Sequence, residues 1–287
     1  MTNFMKRIFL YSFISIVIAI LGPGAQRLAA EADNNRIVVP LSDPSRPAQV
    51  RAHLVSGSIT VKAYEGKDVI VETRSRAGDG DNDNDEEKPE RQGNLHRIPL
   101  ASAGFSVESD NNQVRISASP MRTTDLVLTV PTHTSLSLHT VNSGNIEVTG
   151  VDGEFDVNDV NGSVTLKNVS GSVVAHALNG RVTASFVRVD PQKAMAFSSL
   201  NGDIDVTFPP DIKATVSLRT DNGEVYSDFD IQLQSASPQP AVEDGRGRGG
   251  KYVVKVERTV RGNINGGGQD IQFKNFNGNI YIRKGGK

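Results

Sequence analysis

Through residues 150–184, GVDGEFDVNDVNGSVTLKNVSGSVVAHALNGRVTA, apolar and polar side chains alternate in short runs, and a glycine breaks the alternation every nine residues. The glycines are Gly144, Gly153, Gly162, Gly171 and Gly180, and the same signature returns at Gly57, Gly202, Gly223, Gly262 and Gly278. Two places after these glycines stand Ile59, Ile146, Phe155, Val164, Val173, Val182, Ile204, Val225, Ile264 and Ile280, all β-branched or aromatic. Two places before them, apolar residues recur at Val55, Val151, Val160, Val169, Leu178, Leu200, Val260 and Phe276, with Asn142 and Asp221 as exceptions. A period of two is that of half-buried strands, so the pattern predicts an all-β chain of short strands. Alternate residues of an extended chain share a face, which places Val160, Gly162, Val164 and Leu166 inward. Val169 follows Leu166 by an odd step. A corner must absorb it, and Thr149-Gly150, Asn158-Asp159, Lys167-Asn168 and His176-Ala177 are the pairs available.

Register decides how such strands are joined. Asn-Gly at 161, 179, 201, 222 and 277 is ordinarily a two-residue hairpin turn. A hairpin there would set Val160 opposite Ser163 and Asp159 opposite Val164, pairing apolar with polar on each face, against the preference of cross-strand pairs. A parallel β-solenoid has no such conflict, because each strand lies on its counterpart in the next coil about 4.8 Å away. A nine-residue unit is then one side of a flattened coil. Gly144, Gly162, Gly180, Gly202 and Gly223 follow one another at 18 to 22 residues, giving two strands per coil. The same period stacks Asn161, Asn179, Asn201 and Asn222 in a column whose amides can hydrogen-bond along the axis.

Three stretches carry a family likeness: VSGSITVKAYEGKDVIVE (55–72), DLVLTVPTHTSLSLHTVNSGNIEVTGVDGEFDVNDVNGSVTLKNVSG (125–171) and LNGDIDVTFP (200–209). They resemble the bacterial putative-adhesin β-solenoid family, over roughly residues 50–285. The resemblance implies an exported, repetitive all-β domain without assigned catalytic residues. It departs from a plain version by insertions at about 77–98 and 235–251.

The amino terminus adds a compartment. Lys6 and Arg7 precede an apolar run from Ile8 to Leu21, then Gly22, Pro23 and small residues to Ala32. This order reads as a secretory signal peptide over residues 1–32, leaving 33–287 as a single solenoid domain. The run is too short for the roughly 20 residues of a membrane span, so the membrane enters only through export, to the periplasm or the cell surface. No cysteine is present in the 287 residues, so no disulfide can brace the exported chain. With 31 basic and 33 acidic residues, no global field favours nucleic acid.

Candidate chemistry is sparse. Asp79, Asp81, Asp83, Asp85, Glu87 and Glu90 have the ligand spacing of a calcium loop, but Asn84 stands where the turn wants glycine and Pro89 near its end; an acidic solvated loop is the plainer reading. Arg246 and Arg248 lie in a Gly-rich stretch that reads as a mobile loop. His53, His96, His133, His139 and His176 show no metal-binding spacing, though His133 and His139 have room to meet around a corner. Glu147, Asp203 and Asp205 are outward carboxylates of the kind a solenoid polysaccharide lyase or hydrolase uses. The chain has no tryptophan and five tyrosines, however, few platforms for sugar stacking. The sequence therefore predicts no catalytic, cofactor or metal residues. It points to a non-catalytic envelope or surface scaffold binding a protein or glycan partner, with a carbohydrate-active enzyme as the alternative.

Overall fold

In the computed structural model the chain divides into Met1–Glu31 and Ala32–Lys287. The structure describes residues 36–75, 105–120, 123–142, 144–234, 241–244, 252–255 and 259–286, so both the acidic loop at 79–90 and the arginines at 246 and 248 lie outside the described residues. The fold is all-β. Twenty strands form one nearly closed, barrel-like sheet of mixed pairing, and Ala241–Asp244 and Tyr252–Lys255 form a separate antiparallel pair.

Two series of parallel strands face each other across the core. A long wall runs Gln113–Ala118, Ala48–Ser56, Thr134–Asn142, Asp152–Asp159, the second half of Val164–Ala177, Met195–Asn201, Gln269–Asn277 and Ala214–Asn222. A short wall runs Thr124–Pro131, Ile59–Tyr64, Ile146–Thr149, the first half of Val164–Ala177, Val182–Val189, Ile204–Phe208, Ile280–Lys284 and Val225–Ser227. Val164–Ala177 bends from one wall to the other at Asn168, whose φ of 52° is one that asparagine tolerates better than most residues. This strand joins the two series into one sheet.

Each wall turns its apolar rows inward. Leu126, Ile59, Ile146, Val164, Val182, Ile204 and Ile280 form one row of the short wall, all at most 1% exposed. On the long wall Phe197 and Phe273 stack at 5.3 Å, and on the short wall Phe186 stacks on Phe208 at the same distance. Fully buried side chains of this size contribute roughly 1.5–3 kcal/mol each.

The strands are held in register at the Asn-Gly corners. A Cβ on Gly144 would collide with the Gly57 carbonyl oxygen, one on Gly162 with that of Gly144, and so on through Gly180, Gly202, Gly278 and Gly223. Only glycine allows the backbones to approach so closely. No Asn-Gly step closes a hairpin; the strands on either side pair with neighbouring units instead. The asparagines beside the glycines form a continuous ladder. The Nδ2 of Asn161, Asn179, Asn201, Asn277 and Asn222 donates in turn to the Oδ1 of Asn142, Asn161, Asn179, Asn201 and Asn277, at 2.8–3.0 Å.

Four expectations require correction. A wholly parallel arrangement meets antiparallel strands at both ends: Asp68–Ser75 on Thr124–Pro131, Arg36–Pro40 on Asp68–Ser75, Phe105–Asp110 on Gln113–Ala118, and Val260–Ile264 between Ala214–Asn222 and Ile231–Leu233. Gly262 lies in one of these strands, outside the glycine column. Stack order is not chain order, because Gly278 and Asn277 lie between the Gly202 and Gly223 units. Finally, the parity of the chain reverses at the Asn-Gly corner itself. Asp159 and Ala177 are buried strand positions, whereas Val160 and Leu178 turn toward the outside.

Asp159 is the one ionisable residue among the described buried positions. Its row in the long wall also holds Thr140, Ser199, Asn275 and Thr220, which donate to the carbonyls of Gly57, Gly180, Gly202 and Gly278, each on the preceding unit. By the same geometry Asp159 faces the Gly144 carbonyl, acceptor against acceptor, and neither carboxylate oxygen has a hydrogen-bond partner of good geometry. Burial pushes its pKa up to about 7, with the nearby Gly162 and Asn161 amides offsetting only part of that penalty.

Two predictions follow from this packing. Gly162→Ala lowers the urea midpoint severely, whereas Gly286→Ala, with nothing within 4 Å, leaves it unchanged; equal midpoints would remove the close-approach argument. Because the folded state holds the Asp159 proton more tightly than the unfolded state, its contribution is fully present below about pH 4 and fades as pH rises through about 7. Asp159→Asn, an uncharged donor of the same shape, should remove this dependence and gain on the order of 3 kcal/mol over the parent at pH 8. Denaturant midpoints of both proteins from pH 4 to 8 provide the check.

Candidate binding face

The outward side of the long wall carries two adjacent rows of different chemistry. One holds Ser117, His53, His139, Asn158, His176, Ser198, Lys274 and Arg219, each in register with the next. Two residues further along the strands, just before the asparagine ladder, lie Val55, Val141, Val160, Leu178, Leu200 and Phe276, and the row ends at Asp221. A row of large apolar side chains on an outward face breaks the alternation that governs the rest of the wall. Leu200 is 37% exposed and Phe276 is 44% exposed.

Between the rows runs a groove of about 370 Å³ along His176, Leu178, Ser198, Leu200, Lys274 and Phe276. His176 Nδ1 and Ser198 Oγ lie 2.8 Å apart, fixing both on the groove's polar side. Arg219 is tied to Asp221 at 3.4 Å. Among the described residues, Lys274 has no ion-pair or hydrogen-bond partner. The groove is therefore apolar along one side and offers a cation on the other.

A second recess, of about 400 Å³, sits where the short wall returns to the long one. Gly153 and Gly171 leave its floor bare, and the charges around it satisfy one another. Asp152 takes Arg188 at 2.7 Å and His133 at 3.3 Å, and Lys193 pairs with Glu154. The Asp152–Arg188 pair reaches across the intervening Ser170 strand, so these pairs act as a brace.

The sequence-predicted carboxylates are placed apart. Glu147 and Asp205 share an outward row of the short wall but are separated by the strands of Thr165 and Thr183, three strand spacings or about 14 Å. Glu147 pairs with Lys167 at 2.6 Å, Asp203 with Arg181 at 3.2 Å, and Asp205 with both Nε and Nη2 of Arg283 at 2.7 and 3.0 Å. Asp203 also accepts the Asn279 backbone N–H, extending a second hydrogen-bonded ladder at the corner. His133 and His139 do not meet: His133 joins Asp152, and His139 lies 6.3 Å from His53, ring to ring. His96 lies outside the described residues, among which no three His, Asp or Glu residues gather as a metal-binding group. The alignment of His53, His139 and His176 was missed from sequence, because the first of these belongs to a strand that stacks out of chain order.

No family model matches this chain, and no curated protein matches it in sequence. Among solved structures, it is similar to a putative cell adhesion protein from Clostridium sporogenes ATCC 15579 (11% identity, 88% of this chain and 99% of that one, TM-score 0.38). It is also similar to a putative adhesin from Bacteroides fragilis NCTC 9343 (10% identity, 87% and 95%, TM-score 0.27). At these values neither likeness carries an argument about this chain.

If the outward carboxylates are structural ties, Asp205→Asn should cost at most about 1 kcal/mol, and the cost should shrink with added salt. Urea unfolding at low and high salt gives the measurement. A larger, salt-independent loss would contradict the assignment.

Proposed function

We propose that this chain is a non-catalytic, exported surface scaffold: a β-solenoid of about 18 to 22 residues per coil whose long outer face binds an envelope protein or glycan. The observation that carries the reading is the outward Leu178–Leu200–Phe276 row beside Lys274, half-buried at Leu178 and exposed at Leu200 and Phe276. Exposed apolar groups in a row mark interaction sites more often than isolated ones do. The Lys274 ammonium, unpaired among the described residues, adds a preference for a partner carrying negative charge on its polar side. Export rests on the basic and apolar order of residues 6–21.

The test uses labelled protein and isolated host envelopes. Phe276→Ser combined with Lys274→Glu should lower retention about tenfold while leaving the urea midpoint nearly unchanged. Undiminished retention removes the groove from this reading. Turnover of an acidic polysaccharide that disappears with Asp203→Asn and Asp205→Asn replaces the scaffold by an enzyme.

A further inference from the structure

The stack ends differently on its two walls. Beyond Ala214–Asn222 the long wall is continued by Val260–Ile264 and then Ile231–Leu233. On the short wall the last strand is Val225–Ser227, which pairs only with Ile280–Lys284 among the described residues. Ile280 N–H donates to the Glu224 carbonyl and Asp228 N–H to the Ile282 carbonyl, both at 2.9 Å. In a parallel ladder this alternation turns the N–H and C=O groups of Val225 and Ser227 to the other side, where no strand follows among the described residues.

The side chains tell the same story. Val225 occupies the inward row whose other seven members are at most 1% exposed, yet it is 39% exposed. Its burial is incomplete because one strand is missing. On the outward side, Tyr226 stacks on Tyr281 at 5.2 Å and extends a flat aromatic surface to the edge.

Charge narrows the occupant. Asp221, Glu224, Asp228 and Asp230 surround this three-residue strand. Arg219 answers Asp221, Arg283 is held by Asp205, and the Lys284 ammonium lies 5.1 Å from the centre of the Phe229 ring. Glu224 accepts the Tyr226 hydroxyl, and the Asp230 side chain has no partner among the described residues. Two copies of this edge would bring the four carboxylates of each together, which disfavours self-pairing. A cationic segment is attracted instead.

We infer that the Glu224–Asp228 edge accepts an extended segment of a partner polypeptide in which basic and apolar residues alternate, adding a strand to the short wall. One apolar side chain of the partner would cover Val225, two backbone hydrogen-bond pairs would form on Val225 and Ser227, and basic side chains would meet Glu224 and Asp230. This surface is separate from the groove of the long wall, so either can fail alone.

The probe is a short blocked peptide of lysine, valine and threonine in alternation, titrated into the full chain by fluorescence anisotropy, against a second peptide with glutamate in place of lysine. The lysine peptide should bind, weaken with salt, and slow amide exchange at Val225 and Ser227; the glutamate peptide should bind at least about tenfold more weakly. Val225→Lys, which places a charge at the edge, should reduce binding about tenfold, and Asp230→Lys, at an exposed loop position, keeps the test open should the first variant unfold. Equal binding of the two peptides, or binding indifferent to both substitutions, overturns the inference. So does a dimer that the peptide dissociates, since the occupant is then a second copy. A tenfold gain on Lys255→Glu also overturns it, by assigning the edge to this chain's own Tyr252–Lys255 strand.

Discussion

Close backbone contact at the glycine corner is the constraint from which the remaining architecture follows. With Gly57, Gly144, Gly162, Gly180, Gly202, Gly278 and Gly223 stacked carbonyl against Cα, neighbouring units have no freedom to slip along the strand. A one-residue slip would drive a side chain into a carbonyl and also turn every inward row outward. Once the units are locked, residues at equivalent places stack in rows. The asparagine ladder is one result. The second corner ladder, in which Ser58, Ser163 and Asn279 N–H groups are capped by Asp125, Asn145 and Asp203, is another. Both satisfy groups that a sharp corner would otherwise leave unpaired.

The stack is also locked by the order in which it is assembled. Thr134–Asn142 lies two places from Gln113–Ala118, with the earlier strand Ala48–Ser56 filling the place between them. At the other end Ala214–Asn222 lies two places from Met195–Asn201, and Gln269–Asn277 fills that place. The long wall's first strand in the sequence, Ala48–Ser56, and its last, Gln269–Asn277, are thus bonded on both sides, unlike the last units of a simple repeat array, which have one neighbour. The Asn201–Asn277 bond spans 76 residues of sequence. Folding by propagation from one end cannot reach the Ala214–Asn222 unit until the C-terminal strands arrive, and such long-range closure is slow. In a chain without cysteine, this interleaving ties both ends of the described domain into the sheet by backbone hydrogen bonds.

How far the sequence revealed this depends on whether a feature is local. The inward places of Val164, Leu166, Ile204 and Ile280 followed from alternation, and the stacking of Asn161 on Asn179 followed from the 18-residue period. Asp159 did not, because alternation was carried straight through a glycine at which the backbone turns. The place of Gly278 between Gly202 and Gly223 was hidden for a different reason: spacing along the chain measures stack order only while the chain runs monotonically through the stack. The histidine row and the Leu178–Leu200–Phe276 groove depend on the same long-range register, so neither was legible as a site. The signal available was weak but present: LNG at 178–180, LNG at 200–202 and FNG at 276–278 repeat an apolar residue where neither wall needs one inside.

The antiparallel strands answer a problem that parallel stacking creates. Every internal unit covers its neighbours, but the first and last expose a backbone edge and an apolar row. At the N-terminal end both walls are covered, the long one by Phe105–Asp110 and the short one by Asp68–Ser75 and Arg36–Pro40, and Val69 and Val71 of the covering strand are fully buried. At the opposite end, among the described residues, only the long wall receives this treatment, where Ile264 is fully buried and Phe229 closes the corner at 6% exposure. The short wall there ends in three residues flanked by carboxylates, which keep an open edge soluble by charge where a covering strand would do so by burial. A strand cap gains the burial energy of its apolar row but makes that edge permanently unavailable; a charged short edge forgoes the burial and stays selective. The difference in exposure between Val225 and Ile280, neighbours in one row, is the local measure of what the second solution leaves unburied.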